Sequence, residues 1–481
     1  MNYKIIAHTV GRILQLEALL FMIPLIISII YLETLNIVAF IISSAIAMLA
    51  GSLLTHILGE NDKLLFAKEG FAIVAIAWIL ISVVGAIPYV ISGTIPSFVN
   101  AFFETVSGFT TTGASVLSDV EALSKGILFW RSFTHWLGGM GVLIFIMAIF
   151  PQESGRSIHI LRAEMPGPIV GKIVPKLRET ARILYIIYIA ITVIEALLLW
   201  IAGMPLYESI LHAFGTSGTS GFGIKSDSLA GYGVHIQWMI MVFMLLGGIS
   251  FNFYYLIFMK QLKPALKNTE LWVYFAITFV SGIAIMLNIM PMYGTFGEAL
   301  HQAFFHASSI ITTTGYSISN YDTWPNFSKV LLMILMFIGG CSGSTAGGIK
   351  ISRYILFIKS ILRDMKQMLH PTAVSGIRMD GKKVDDKTIS GISTYFAFYF
   401  IIFFIILLLI SLEPFSSETN FSAVVACFNN IGAGFGMVGP MGNYAAFSIP
   451  AKLLLSFTML LGRLEIFPML MLFMPSFWNR K

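Results

Sequence analysis

Residues 104–115 read Glu-Thr-Val-Ser-Gly-Phe-Thr-Thr-Thr-Gly-Ala-Ser, and the chain returns to variants of this stretch three more times. Thr-Thr-Thr-Gly at 110–113 recurs unchanged at Thr312, Thr313, Thr314 and Gly315. Between them lies Gly218-Thr219-Ser220-Gly221, and near the end Asn429-Asn430-Ile431-Gly432. Each copy follows a short apolar run rich in Phe and Ala. Glu104, His212 and His306 stand nine residues before Gly113, Gly221 and Gly315. Self-similarity of this kind marks one supersecondary unit used repeatedly. The unit is a short helix followed by a hydroxyl-rich strand containing glycine.

The chemistry of that unit suits a cation. A bare monovalent ion in hydrocarbon costs roughly tens of kcal/mol, so something must replace its water shell. Backbone carbonyls do this when an extended strand turns them inward, a conformation glycine reaches because it tolerates positive φ. Thr and Ser hydroxyls add oxygens or brace the loop. A short helix ending just before the strand aims the negative end of its dipole at the same point. Four such units would close a ring.

With 57% hydrophobic and 11% charged residues among 481, the chain is excluded from the soluble class. Apolar runs of about 20 residues recur, each long enough to cross a bilayer. The N-terminal residues lack a small-residue cleavage site, so the first apolar segment is expected to be retained as a span. Two spans, Ile13 to Tyr31 and Ile37 to Leu58, form an expected hairpin in residues 1–69. Four units then follow at 70–155, 156–262, 263–370 and 371–481, each read as span, re-entrant helix, strand and span. The predicted re-entrant helices are Ser97 to Phe109, Tyr207 to Phe214, Phe296 to Ile311 and Asn420 to Phe428. The predicted second spans are Ile127 to Phe150, Val234 to Phe258, Phe327 to about Arg363 and Ile449 to Met474. Ten crossing helices and four half-spans result. Re-entrant backbone is tolerated at membrane depth only inside protein or against water, so each strand requires a pore or vestibule to face.

If the N-terminus is cytoplasmic, every one of the 30 Lys and Arg except Lys125, Arg131, Lys225, Lys329, Lys452 and Arg463 falls at the cytoplasmic side. That follows the positive-inside rule, so basic loops here signal orientation and not nucleic acid. One such loop runs from Pro151 to Ala181 and holds Arg156, Arg162, Lys172, Lys176 and Arg178. Cys341 and Cys427, the two cysteines, fall in apolar surroundings and speak for neither a disulfide nor a metal site.

Several stretches resemble the Trk/Ktr/HKT superfamily of potassium transporters, and within it the TrkH-type membrane subunit. They are RSFTHWLGGMG from Arg131, GGCSGSTAGGIK from Gly339, HPTAVSGIRMDGKKV from His370 and GRLEIFP from Gly462, with the four Gly/Thr loops. The resemblance covers nearly the whole chain. It implies an all-α polytopic membrane protein with four pseudo-repeated units around one pore, in the inner membrane of a bacterium. It also implies a homodimer in lipid, a cytoplasmic ring of TrkA-like nucleotide-binding regulatory subunits, and K+ as the permeant ion, with no organic cofactor in this chain. The expected ion-binding residues are Thr111, Thr112, Gly113, Ser220, Gly221, Thr313, Thr314, Gly315, Asn430, Ile431 and Gly432. The fourth loop departs from the pattern, with Asn429 and Asn430 where hydroxyls stand elsewhere. Gly434 rivals Gly432 there, and uninterrupted alignment favours Gly432.

Glu104, His212 and His306 read as braces behind the strands in preference to vestibule ligands. Arg463 reads as a barrier in the pore in preference to a structural pair with Glu465 or another acid. Gly339 to Gly348 holds five glycines in an apolar run, which weakens helix by about 1 kcal/mol for each. A break is expected, giving either close helix packing or a gate formed with Gly343, Ser344, Thr345 and Gly347. Asp380-Gly381 predicts a small cytoplasmic hairpin suited to docking a partner.

The leading expectation is a potassium uptake pore driven by the membrane potential, which supplies about 2.3 kcal/mol per charge at 100 mV. The alternative is a proton- or sodium-coupled symporter; no buried Asp in a span offers itself as carrier. An enzyme is not expected: HExxH, the P-loop and paired catalytic carboxylates are missing from the sequence.

Overall fold

The computed structural model describes residues 1–58, 67–141, 177–371 and 376–479. Most of them are helical, with one two-stranded antiparallel pairing, Arg378–Met379 against Lys382–Lys383. Most of the expected loop from Pro151 to Ala181 lies outside the described residues, as does part of the segment following His370.

The N-terminal hairpin is built from Tyr3–Leu20, Met22–Ile30 and Thr34–Leu58. Gly11 and Gly51 let its helices touch, since a Cβ at Gly11 would lie 2.7 Å from the Gly51 carbonyl oxygen. The hairpin is tied to the rest by Glu33, whose carboxyl accepts from the amides of Lys125 (2.6 Å) and Gly126 (2.9 Å) at the start of Lys125–Gly139. Large apolar side chains such as Leu49 and Leu408 point outward, as a lipid-facing surface requires.

Re-entrant helices occupy Phe98–Phe109, Leu206–Ser217, Phe296–Ile311 and Ser417–Phe428. Thr295 caps the third, accepting from the Glu298 amide, and Ser416 caps the fourth through the Thr419 amide.

The helices that follow the four loops correct the sequence reading. Only the third had been expected to break, yet each ends early. Lys125–Gly139 stops at Gly139. Val234–Gly247 meets Phe251–Phe258 at 88°. Asn326–Ile338 gives way to irregular chain until Ile351–Leu369. Ile449–Arg463 ends before Phe467–Met471, with Glu465 and Ile466 at positive φ. Six described helices are long and apolar enough to cross a membrane, or seven with the bent pair counted as one, and residues 142–150 of the expected span Ile127 to Phe150 lie outside the described residues. The cause of the early ends is tertiary. A Cβ at Gly138 would fall onto the Phe109 carbonyl oxygen and one at Gly462 onto that of Phe428. These helices press on the carbonyl ends of re-entrant helices, and only glycine admits so close an approach.

Candidate functional site

All four re-entrant helices end alike. The amides of Thr112, Ser220, Thr314 and Ile431 donate to carbonyls five residues back, on Ser107 (2.9 Å), Gly215 (2.9 Å), Ser309 (2.8 Å) and Ala426 (2.8 Å). This is the six-to-one bond of a Schellman cap, which needs a left-handed residue at its corner. That residue is Thr111 (φ 56°), Thr219 (52°), Thr313 (54°) and Asn430 (54°). A β-branched residue at positive φ is a steric outlier, and such outliers cluster where function holds them in place. Two residues later φ is positive again, at Gly113 (82°), Gly221 (69°), Gly315 (84°) and Gly432 (82°).

The four strands meet around one axis in chain order. A Cβ on Gly113 would overlap the Ser220 carbonyl oxygen; on Gly221, that of Thr314; on Gly315, that of Ile431; and on Gly432, that of Thr112. Each glycine thus lies against the carbonyl of the next strand, and the fourth closes on the first. Gly432 occupies the ring position; the Gly434 amide instead bonds the Val438 carbonyl at 2.7 Å. All four ring glycines line one cavity of about 230 Å³.

Hydroxyls brace more than they line. Thr112 and Thr314 share hydrogen bonds with Thr110 (2.7 Å) and Thr312 (2.8 Å), and the Asn430 side chain donates through Nδ2 to Thr112 Oγ1 at 3.0 Å. Ser220 Oγ donates to the Gly215 carbonyl. Thr219, at the second corner, is not among the expected ion-binding residues, although it stands two residues before Gly221 as Thr111, Thr313 and Asn430 stand before their glycines.

Glu104 accepts from Ser115 Oγ (2.9 Å), the Val116 amide (2.9 Å) and Arg131 Nε (2.8 Å). His306 Nε2 accepts from the Ile318 amide at 3.5 Å, and His212 lies 3.4 Å from Tyr316 Oη and 3.2 Å from Tyr232 Oη. The contacts of all three are those of braces behind the strands. In the fourth loop the same task falls to Ser422, whose hydroxyl accepts from the Phe435 amide at 2.9 Å. Ser422 sits one residue out of register, so spacing did not reveal it. Glu104→Ala strands the buried Arg131 guanidinium, and loss of one partner of such a pair costs about 3–5 kcal/mol. A markedly lowered unfolding temperature in detergent is the expected result, with Glu104→Gln milder.

At the threonine end of the ring, residues 339–350 lie against the strands. The Gly347 amide donates to Thr313 Oγ1 (2.6 Å) and the Gly348 amide to the Asn429 carbonyl (3.1 Å). Thr345 Oγ1 donates to the Gly247 carbonyl (3.1 Å), and the Cys341 amide to that of Gly248 (2.9 Å). Ser344 Oγ closes a turn on the Cys341 carbonyl at 2.6 Å, and the Gly343 carbonyl accepts from the Phe251 amide at 2.8 Å. Arg463 donates to the carbonyls of Thr345 (2.9 Å), Gly138 (2.6 Å) and Gly139 (2.8 Å). Glu465, its suggested partner, pairs instead with Arg353 at 2.5 Å. Arg463, Asn430 and Gly347 line a cavity of about 50 Å³. Cys341 and Cys427 are buried free thiols.

A bundle of apolar spans whose re-entrant loops converge on a common axis is the architecture of a polytopic membrane transporter. A family model described as TrkH, cation transport protein, matches residues 36–480. The Trk system potassium uptake protein TrkH of Salmonella typhimurium strain LT2 is 34% identical over 100% of both chains, as is that of Escherichia coli strain K12. The crystal structure of the potassium transporter TrkH from Vibrio parahaemolyticus is similar with a TM-score of 0.90 at 30% identity, covering 100% of both chains. The chain belongs to the TrkH family of cation transport proteins.

Proposed function

We propose that this protein is the membrane subunit of a Trk-type system that takes up K+ through the ring of Gly113, Gly221, Gly315 and Gly432. The observation that carries the reading is the closed circuit of glycine against carbonyl, in which the oxygens of Thr112, Ser220, Thr314 and Ile431 each lie against the glycine of a neighbouring strand. Oxygens so arranged replace a hydration shell without covalent chemistry. The four units, with the N-terminal hairpin outside them, surround that axis. K+ sits among Thr111, Thr112, Thr313, Thr314, Asn430 and Ile431, and residues 339–350 with Arg463 form the gate below. The subunit works in a bacterial inner membrane as a homodimer with a cytoplasmic N-terminus. A TrkA-like ring of nucleotide-binding subunits docks on its cytoplasmic face.

Coupled symport stands as the second reading, because Glu17 and Glu195 are buried inside span helices, where the sequence argument had sought only an Asp. Rubidium flux into liposomes holding the purified full chain separates the two. Flux that follows the potassium gradient and the imposed voltage is the expected result. Uphill movement dependent on a proton or sodium gradient overturns the channel-like mechanism.

A further inference from the structure

Two neighbouring residues at the start of Thr269–Tyr293 connect the cytoplasmic surface to the segment beneath the ring. Glu270, 5% exposed, accepts with one carboxyl oxygen from the amides of both Ser342 (2.7 Å) and Ser352 (3.0 Å). Those amides lie near the start of the 339–350 segment and just beyond its end. The Ser342 and Ser352 hydroxyls bond each other beside it. One side chain from a different helix therefore pins the base of the excursion that carries Gly343 to Gly348.

Thr269, the preceding residue, gives both its amide (2.9 Å) and its hydroxyl (2.7 Å) to Asp380 Oδ1. Asp380 is the exposed tip of the hairpin Arg378–Met379/Lys382–Lys383, held with Gly381 at positive φ. The hairpin is also tied to the helix leaving the segment, through Lys359 Nζ on the Arg378 carbonyl at 2.8 Å. One route from hairpin to segment runs along the helix Ile351–Leu369. The contacts supply a second and shorter one, in which Asp380 fixes Thr269 and Thr269 fixes the turn bearing Glu270.

We propose that Glu270 is the positioning residue that latches the 339–350 segment under the ring, and that Asp380 is the handle by which a cytoplasmic partner sets the latch. The proposal rests on the reading of the ring as the permeation path. Of the free amides of this first helical turn, those of Glu270 (2.9 Å) and Leu271 (3.3 Å) are met by the Asn268 side chain, and that of Thr269 is met by Asp380 on the hairpin. A partner that takes the hairpin tip away removes two bonds from Thr269, loosens that turn and withdraws Glu270. The Ser342 and Ser352 amides then lose their shared acceptor, and the segment is free to leave the ring. A partner shifts this equilibrium only as far as it prefers the undocked hairpin.

The test uses the full chain in liposomes with no regulatory subunit present. Glu270→Ala should raise basal rubidium flux by roughly 5- to 150-fold, the range of typical coupling between sites. Asp380→Ala should raise it less, and the double variant should match Glu270→Ala alone, since residues on one path do not add. Labelling of Cys341, next to Ser342 and now buried, by a thiol reagent should accelerate in parallel, located by peptide mass. Glu270→Gln, which keeps the shape and one oxygen, serves if the alanine variant does not fold, and should show the same changes at smaller size. Flux and labelling at wild-type levels in a folded Glu270 variant overturn the latch. Additive effects of the two substitutions overturn the link to the hairpin. The potassium-to-sodium ratio is recorded alongside: it should stay at the wild-type value in the Glu270 variants, whereas a failure of the ring reading shows in ring variants.

Discussion

Gly113→Ser should lower the potassium-to-sodium permeability ratio by about tenfold or more while the protein still assembles in the membrane. The new Cβ falls onto the Ser220 carbonyl oxygen, so that oxygen must turn away from the axis or the strand must shift. Either change removes or displaces one of the four carbonyl oxygens that the proposed function assigns to the ion. A loss of only about 1.4 kcal/mol in discrimination between the two ions gives the tenfold change. The conformational cost is separate, about 1–2 kcal/mol for a residue with a side chain in the left-handed region. That sum is small against the buried helices that hold the loop, so expression should persist. Reversal potentials in bilayers with mixed salts read the ratio directly. An unchanged ratio in reconstituted Gly113→Ser removes Gly113 from the conduction path. The parallel substitutions Gly221→Ser, Gly315→Ser and Gly432→Ser meet equivalent carbonyls and should move the ratio the same way, whereas Gly434→Ser should not.

The ring was legible in the sequence because its demands are local. A helix that must end in a left-handed corner, followed two residues later by glycine, leaves a mark at fixed spacing, and Thr111, Thr313 and Asn430 carry it. Thr219 carries the same mark two residues before Gly221, flanked by Gly218 and Ser220 where the first and third copies have threonines. The breaks in the other three second helices were illegible for another reason. An apolar run with one or two glycines reads as a continuous span, and what interrupts it is a carbonyl belonging to a re-entrant helix brought against Gly138 or Gly462 by tertiary packing. Ser422 lies one residue outside the expected register, and Glu270 stands in the first turn of its helix, where the dipole alone would favour an acid. Their partners lie 13 and 72 residues away. Spacing rules see pairs along an element, not pairs across the fold.

Arg463→Ala should raise maximal flux by about tenfold, with Arg463→Gln close behind and Arg463→Lys near the wild type. Two effects of the arginine must be separated. Its charge repels a passing cation: two unit charges 8 Å apart in a medium of dielectric constant 20 interact by about 2 kcal/mol. Its guanidinium also fastens the 339–350 segment, through the Thr345 carbonyl, to the broken helix at Gly138 and Gly139. Lysine keeps the charge but loses the fork of donors that spans three carbonyls, so a wild-type rate in Arg463→Lys assigns the barrier to charge. A rate as high as that of the alanine variant assigns it to fastening. Glu465 does not complicate the comparison, because Arg353 already holds it. Unfolding in detergent supplies the control: Gly139, one of the three residues whose carbonyls Arg463 holds, lines the cavity of about 50 Å³ beside it, and each carbonyl left unmet by Arg463→Ala costs about 1–3 kcal/mol. Arg463→Ala with unchanged flux and a large loss of stability would instead mark the residue as structural, and place the barrier elsewhere in the segment.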